Sequence, residues 1–446
     1  MYICANLVLK RMRKSLLLAL ALAFSGASMQ AQNPLARYVK QDYQPWADSI
    51  TNVLITNFMN PNTGTFYSTP KDVDKSSTYI YWQQAHAMDV LIYGYENNLE
   101  RNSSLALRYK NYMRKWVQNH ANNYHKSSSD GTGFLNPYTD DMCWICLTLI
   151  HMGETTKTAS YVQTAKTVFD KYIITRGKQT EFGLMLPWNW DDGAGPNACT
   201  NSPACLVAAK LYNYYGTERY LEYSKGLYEY VVNKIAKSDG RVEEPPLSYT
   251  QGTFGEACRQ LYLITGDTKY RLMCAKVLKY AITSDRVLYK GLLRSEGSSM
   301  DQSIFKAVLI PYLVNFVLDD SYLLTDRRQV LTFLQTQCAT LWKNLDKEAY
   351  PQMYTSYYWG EKWDKSKTAS MGANTSGASL MENMSRLARI LTAEEEGESI
   401  VSTPQEVRPL SFDVYTLDGK CLAKGASHVG DLPKGLYIIN GKKVLF

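Results

Sequence analysis

Apolar positions along most of this chain recur with helical spacing. In DMCWICLTLIHM (141–152), Met142, Ile145, Cys146, Leu149 and Met152 fall on one face of a 3.6-residue period, which predicts a helix buried on that side. A punctuation then repeats. Leu211-Tyr212 is followed by Gly216 and Tyr220 and a helical run from Leu221 to Ile235. Leu261-Tyr262 is followed by Gly266 and Tyr270 and a run from Arg271 to Ile282. The two glycines lie 50 residues apart, each where a left-handed helix end is expected. The repeating unit is therefore a helical hairpin of roughly 50–60 residues. The helical segment, about Tyr43 to Leu391, holds about six such hairpins, enough to close a ring. The expected fold is all-α, an (α/α)6 toroid over residues 33–391.

Three Pro/Gly-rich interruptions, Tyr124–Pro137, Leu186–Pro203 and Asp239–Gly252, are expected as long loops, the usual carriers of function on a compact scaffold. After Leu391 the pattern changes. A polar linker (392–409) is followed by short alternating segments with a hairpin signal at Asp418-Gly419, read as a small β module at 410–446.

The N-terminus carries Lys10, Arg11, Arg13 and Lys14 ahead of the apolar run LLLALALAF (16–24) and small residues to Ala31. This reads as a secretory leader, residues 1–32, on an exported protein. The run is about half the ~20 residues that span a membrane, so no span is expected. The formal charge of +7 shrinks to +3 once those four cations are removed, too little to imply nucleic acid as a partner. Nine cysteines and five histidines form no metal pattern. Cys143 and Cys146 make a C-x-x-C inside an apolar helix without a second ligand pair, so core packing is expected and no metal or cofactor.

Asp140 and Asp141 stand side by side where a loop meets the apolar helix, with Tyr138 and Trp144 nearby. Aspartates at a helix start cap free N–H groups and complement the dipole. Two carboxyls about one bond are also what glycoside hydrolysis needs, one as nucleophile and one as acid/base, with repulsion and burial raising one pKa. The residues by themselves leave both readings open.

The run YTDDMCW (138–144) resembles the signature of glycoside hydrolase family 76, the endo-α-1,6-mannanases. Further blocks are similar in order: YWQQAHAMDVLI (81–92), NACTNSPACLVAAKLY (197–212), DGRVEE (239–244) with YTQGTFGEA (249–257), LRSEGSSMDQSIFKAVLIPYL (293–313) and TSGASLMENMSRLA (375–388). The resemblance spans about Tyr43 to Leu391. It implies an (α/α)6 fold and retaining cleavage of internal α-1,6-mannosidic bonds in α-mannan such as that of fungal walls. It implies Asp140 as nucleophile and Asp141 as general acid/base. Asp89, Asn201 and Gln251 match family positions near the substrate funnel. Tyr138, Trp144, Trp188, Trp190 and Tyr249 are further candidates for sugar contact, though aromatics also serve as core. His86 reads as structural and Asp191-Asp192-Gly193 as a turn. Thr250, Ala307, Pro311 and the Leu186–Asp192 region depart from the family pattern and bear on subsites. The chain is expected to act as a monomer. The C-terminal segment resembles the last strands of a type IX secretion sorting domain. Other (α/α)6 carbohydrate enzymes, a transglycosidase or a polysaccharide lyase, and a non-catalytic glycan-binding protein are the rival readings.

Overall fold

The computed structural model describes residues 33–73, 80–124, 133–189, 197–396, 412–416, 420–426, 436–439 and 442–445. The leader, Trp190, the Asp191–Gly193 turn and most of the linker lie outside the described residues.

Twelve α-helices are present among the described residues: α1 (Gln44–Phe58), α2 (Trp82–Asn98), α3 (Ser103–Tyr124), α4 (Thr139–Thr156), α5 (Ala159–Val168), α6 (Ala198–Tyr215), α7 (Glu218–Tyr230), α8 (Ser248–Thr265), α9 (Thr268–Thr283), α10 (Met300–Leu318), α11 (Leu324–Asn344) and α12 (Met371–Glu396). The even-numbered helices pack in sequence, α2 on α4, α4 on α6, α6 on α8, α8 on α10 and α10 on α12. Helix α12 returns to α2 and closes the ring. Each odd-numbered helix backs an even one from outside. The expected (α/α)6 toroid is what forms.

The sequence explains which helices lie inside. Helix α7 buries Tyr220, Leu221, Ser224, Leu227 and Tyr228, a single stripe at helical spacing, and exposes Glu218, Glu222 and Lys225. That is an outer helix with one covered face. Helix α10 is apolar nearly all round and buried nearly all round, from Ile304 through Val317. Among the described residues it alone has the length and hydropathy to cross a membrane, and it is a core element of the ring.

The hairpin punctuation works as expected. Gly216 (φ 65°) and Gly266 (φ 70°) take the left-handed conformation, and their N–H groups donate to Tyr212 and Tyr262 at 2.7 and 2.8 Å. The runs Leu221–Ile235 and Arg271–Ile282 are both helical, the first ending in a π turn over Val231–Ile235. Two expected loops end earlier than the proline and glycine signals suggested. Helix α6 starts at Ala198, because the Asn197 side chain accepts from the Thr200 N–H at 3.0 Å and caps it; Pro203 then sits inside the helix. Helix α8 starts at Ser248 and contains Gly252. The last helix continues past Leu391 to Glu396.

Gly252 has a packing role. A Cβ there would lie 2.7 Å from the Leu309 Cα, so α8 and α10 cross backbone to backbone. Gly252→Ala is expected to lower stability by about 1–3 kcal/mol, the cost of overpacking a closed core. An unchanged urea midpoint would refute that close approach.

Short antiparallel hairpins, β1–β2 (Lys178–Thr180, Gly183–Met185) and β3–β4 (Leu288–Tyr289, Leu292–Leu293), decorate the loops. The C-terminal strands β5 (Phe412–Thr416), β6 (Cys421–Ala426), β7 (Leu436–Ile439) and β8 (Lys442–Leu445) form an antiparallel sheet in the order β6-β5-β7-β8.

Candidate active site

Because every inner helix is joined to the next through an antiparallel outer one, all six inner helices run the same way. Their first turns meet at one end of the ring. Trp82 and Gln83 come from α2, Asp140, Asp141 and Trp144 from α4, Cys199 from α6, Tyr249 from α8, and Asp301 and Phe305 from α10.

Four rings form the floor. Tyr249 stacks on Phe305 (centroids 4.1 Å apart, planes 20° apart), and Phe305 on Trp82 (6.1 Å, 22°). Trp82 contacts Trp144 (6.2 Å), which contacts Tyr249 (6.1 Å). His86 lies against Trp82 and Trp144 at 5.4 and 5.2 Å. Burial holds His86 at a pKa of about 4, against the pull of Asp89, so it is neutral there.

Asp140 and Asp141 sit in the first turn of α4, after Tyr138 at the N-cap, whose side chain makes no capping bond. The loop ahead is pinned by Asn136, whose Oδ1 accepts from the Tyr138 N–H at 2.8 Å. The Trp188 segment is tied to the helix start through the Thr139 N–H donating to the Trp188 carbonyl at 2.7 Å. That tie brings the Trp188 indole N–H to Asp140 Oδ2 at 3.1 Å. The Cys199 thiol reaches the same oxygen at 3.3 Å. Asp140 Oδ1 is turned away from solvent, and the backbone N–H groups of Asp140 and Asp141 also favour the ionised carboxyl.

The two acids differ in environment. Burial raises the Asp140 pKa to about 6, held back by the Cys199 and Trp188 donors and by nearby backbone N–H groups. Burial raises Asp141 well above the usual carboxylate range. The charges of Asp140 and Asp301 add to this, and a hydrogen bond with Asn136 opposes it. Near neutral pH the arrangement is one ionised and one protonated carboxyl side by side, which suits one group for attack and the other for proton donation. Helix capping does not account for the pair by itself: Asp140 draws on first-turn N–H groups, yet burial still leaves both side chains destabilised as anions.

The other expected residues divide. Tyr138 is exposed and tilts against Trp188 (5.0 Å), forming a rim beside the acids. Trp144 and Tyr249 belong to the floor. Asn201 and Gln251 are fully buried and hold loops. Asn201 accepts from the Leu186 N–H and donates to the Leu186 and Asn197 carbonyls. Gln251 exchanges bonds with both backbone groups of Val242. Asp89 lies on the far side of the floor. It accepts from Thr148 Oγ1 at 2.9 Å and meets His151 Nδ1 at 3.1 Å. It faces a cavity of about 1630 Å³ at the opposite end of the ring, together with Glu96, His151, Glu256, Arg259 and Arg386. The charges there are largely spent on one another, and the adjacent acids do not line it. The helix period accounts for Asp89: it is two turns inside α2, whereas the site is built from first turns.

Several site residues were not singled out from the sequence. Asp301 Oδ1 accepts from the Trp82 indole N–H at 3.1 Å and from Gln83 Nε2. Glu243, in a left-handed conformation (φ 72°), accepts from the Ala198 N–H at 2.9 Å and so fixes the start of α6. Once six parallel inner helices are expected, the first turn of each is the place to look, and Trp82, Cys199, Asp301 and Phe305 all fall there or one turn further in. Cys143 and Cys146 are buried free thiols, packed in the core. Among the described residues no group of three or more His, Cys, Asp or Glu side chains is arranged to hold a metal ion.

A ring of six helical hairpins with paired acids at one end places the chain in the (α/α)6 toroid class. The family model described as glycosyl hydrolase family 76 matches residues 42–394, and the chain belongs to that family. Among solved structures, the GH76A α-1,6-mannanase of Salegentibacter sp. HEL1_6 is similar at TM-score 0.68 and 22% identity, covering 78% of this chain and 100% of that one. The family 76 mannosidase Bt3792 of Bacteroides thetaiotaomicron is similar at 0.62 and 16%, covering 80% and 100%. Dfg5 of Chaetomium thermophilum, solved with glucosamine, is similar at 0.63 and 13%, covering 79% and 92%. The Salegentibacter enzyme was also solved as an inactive variant, two adjacent aspartates replaced by asparagine, with α-1,6-mannotriose bound. No curated protein sequence matches significantly.

Proposed function

We propose that this protein is an exported, retaining endo-α-1,6-mannanase acting on α-mannan such as that of fungal walls. The observation that carries this reading is the pair Asp140 and Asp141, half-buried together with unequal proton affinities above an aromatic floor. Family membership supports glycosidase chemistry, and the mannotriose-bound Salegentibacter variant supports the substrate class. The basic cluster and apolar run at the N-terminus support export.

In the first step the Asp140 carboxylate attacks the anomeric carbon as the C1–O bond breaks, and Asp141 gives its proton to the departing oxygen. In the second, Asp141, now ionised, takes a proton from water as that water attacks C1 and releases Asp140. Two inversions give net retention. Tyr138 and Trp188 at the rim offer ring faces to pyranose C–H groups, and Asp301 offers its carboxylate to hydroxyls.

Incubation with linear, debranched α-1,6-mannan is expected to release a ladder of α-1,6-oligosaccharides, with the α anomer first in early NMR spectra. No cleavage would sink the mannanase reading. A β anomer at early times would sink retention. Chains longer than the substrate would point to glycosyl transfer instead, and unsaturated products absorbing in the ultraviolet to a lyase.

A further inference from the structure

We propose that Cys199 is a positioning residue for Asp140: its thiol and the Trp188 indole N–H together hold Oδ2 and set the plane of the carboxylate. The inference rests on the reading of Asp140 as the nucleophile.

The geometry is asymmetric. Oδ2 accepts two hydrogen bonds, from Trp188 Nε1 at 3.1 Å and Cys199 Sγ at 3.3 Å. The backbone N–H groups of Asp140 and Asp141 in the first turn of α4 also favour the ionised carboxyl. Oδ2 is fixed from two sides, by the loop carrying Trp188 and by the first turn of α6, so the carboxylate plane is set before substrate arrives.

Cys199 is held in its turn. Glu243 accepts from the Ala198 N–H at 2.9 Å and also engages the Cys199 N–H, anchoring the helix start that carries the thiol. The Tyr249 hydroxyl lies against the sulfur from α8. Burial and the neighbouring charges of Asp140 and Glu243 raise the thiol pKa well above its ordinary value, so Cys199 remains a proton donor across the working range. A thiol is a weak donor. It orients the carboxylate while drawing off less charge than a hydroxyl would. The titratable groups facing Asp140 are Asp141 and Cys143 on its own helix, Cys199 on α6 and Tyr249 on α8. Asp301 and Glu243 face its neighbours.

The test is the pH dependence of kcat/KM on α-1,6-mannan for wild type, Cys199→Ala and Cys199→Ser. Removing a donor to the ionised form disfavours that form, so alanine is expected to move the acidic limb up by about half a pH unit to one unit. Activity below the limb then falls about three- to tenfold, since the ionised fraction there drops tenfold per unit. Serine, the stronger donor, is expected to return the limb to the wild-type position or below it. A merely structural thiol would give lower rates at every pH with the limb in place, and that result overturns the proposal. So does a limb that moves down in the alanine variant. Titration of the Asp140 carboxyl by 13C NMR, assigned with Asp140→Asn, needs no substrate. An upward shift there with no mannan cleavage by wild type would leave the hydrogen-bonding role standing and remove the nucleophile. An unshifted Asp140 overturns the proposal whatever the substrate.

Discussion

Replacing Asp140 or Asp141 by alanine is expected to cut kcat/KM on linear α-1,6-mannan by about a thousandfold or more, by two routes that can be told apart. Loss of a nucleophile or of a general acid each costs at least a few orders of magnitude. The difference appears with an aryl α-mannoside and added azide. In Asp140→Ala, azide occupies the vacated face and the product is the β-mannosyl azide. In Asp141→Ala, the good leaving group departs without a proton, azide then attacks the glycosyl-enzyme, and the product is the α-mannosyl azide. Wild-type rates in both variants would remove the pair from the mechanism. Exchanged azide products would reverse the roles and leave the site standing.

The same two acids fix the expected pH dependence. Activity requires Asp140 ionised and Asp141 protonated, so kcat/KM rises through about pH 6 and falls again at higher pH, where Asp141 loses its proton. The pair is coupled, so the limbs report the pair rather than either residue. A stability consequence follows with a definite sign. The folded state binds the Asp140 proton more tightly than the unfolded chain, so the stability this group contributes is fully present below the unfolded value and is lost as pH rises through about 6. Asp140→Asn should therefore raise stability above pH 7 and hardly change it at pH 4, measured by urea unfolding at both values. A nucleophile that destabilises its own fold is what a site kept for chemistry rather than for packing would show.

Much of this was legible beforehand, for physical reasons. Gly216 and Gly266 mark left-handed helix ends because only glycine enters that conformation freely, so the hairpin period could be read directly. The acid pair could be located by its place ahead of an apolar helix. Loop boundaries were less legible. Pro203 and Gly252 are breakers in isolation, yet both lie within helices here. Pro203 follows the cap at Asn197, and Gly252 lets Leu309 approach. Asn201 and Gln251 resembled substrate-binding amides, but an amide that orders a loop and one that binds a hydroxyl look alike in sequence. The hydrogen bonds to Leu186 and Val242 separate them. Asp301 and Cys199 were invisible because each gains its meaning from a neighbour two hairpins or one hairpin away.

The opposite end of the ring is where the second large effect is expected, on stability rather than on rate. Arg259 in α8 is buried and bonds both oxygens of Glu256 at 2.9 Å, one turn earlier on its own helix. It also bonds Asp319, at the end of α10, at 3.1 Å. One cation thus bridges two carboxylates and joins two inner helices at the end where they leave the ring. Burial alone would raise the Glu256 pKa, but Arg259 lowers it below the ordinary value. The stability it contributes is therefore present above the unfolded value and lost as pH falls through the folded one. Arg259→Ala leaves both carboxylates buried without their bonded cation, with only the more distant Lys210 acting on Glu256, and breaking a buried pair by removing one partner costs about 3–5 kcal/mol. Urea unfolding at pH 7.5 should show a loss of that order. At pH 5 the loss should be smaller, because Glu256, released from the guanidinium, can take up a proton and shed the buried charge. Equal losses at both values, or a loss under about 1 kcal/mol, the range of exposed pairs, would mean that the network is hydrated in solution. The aromatic floor separates this network from Asp140 and Asp141, so the variant that remains folded should turn over α-1,6-mannan with wild-type kcat.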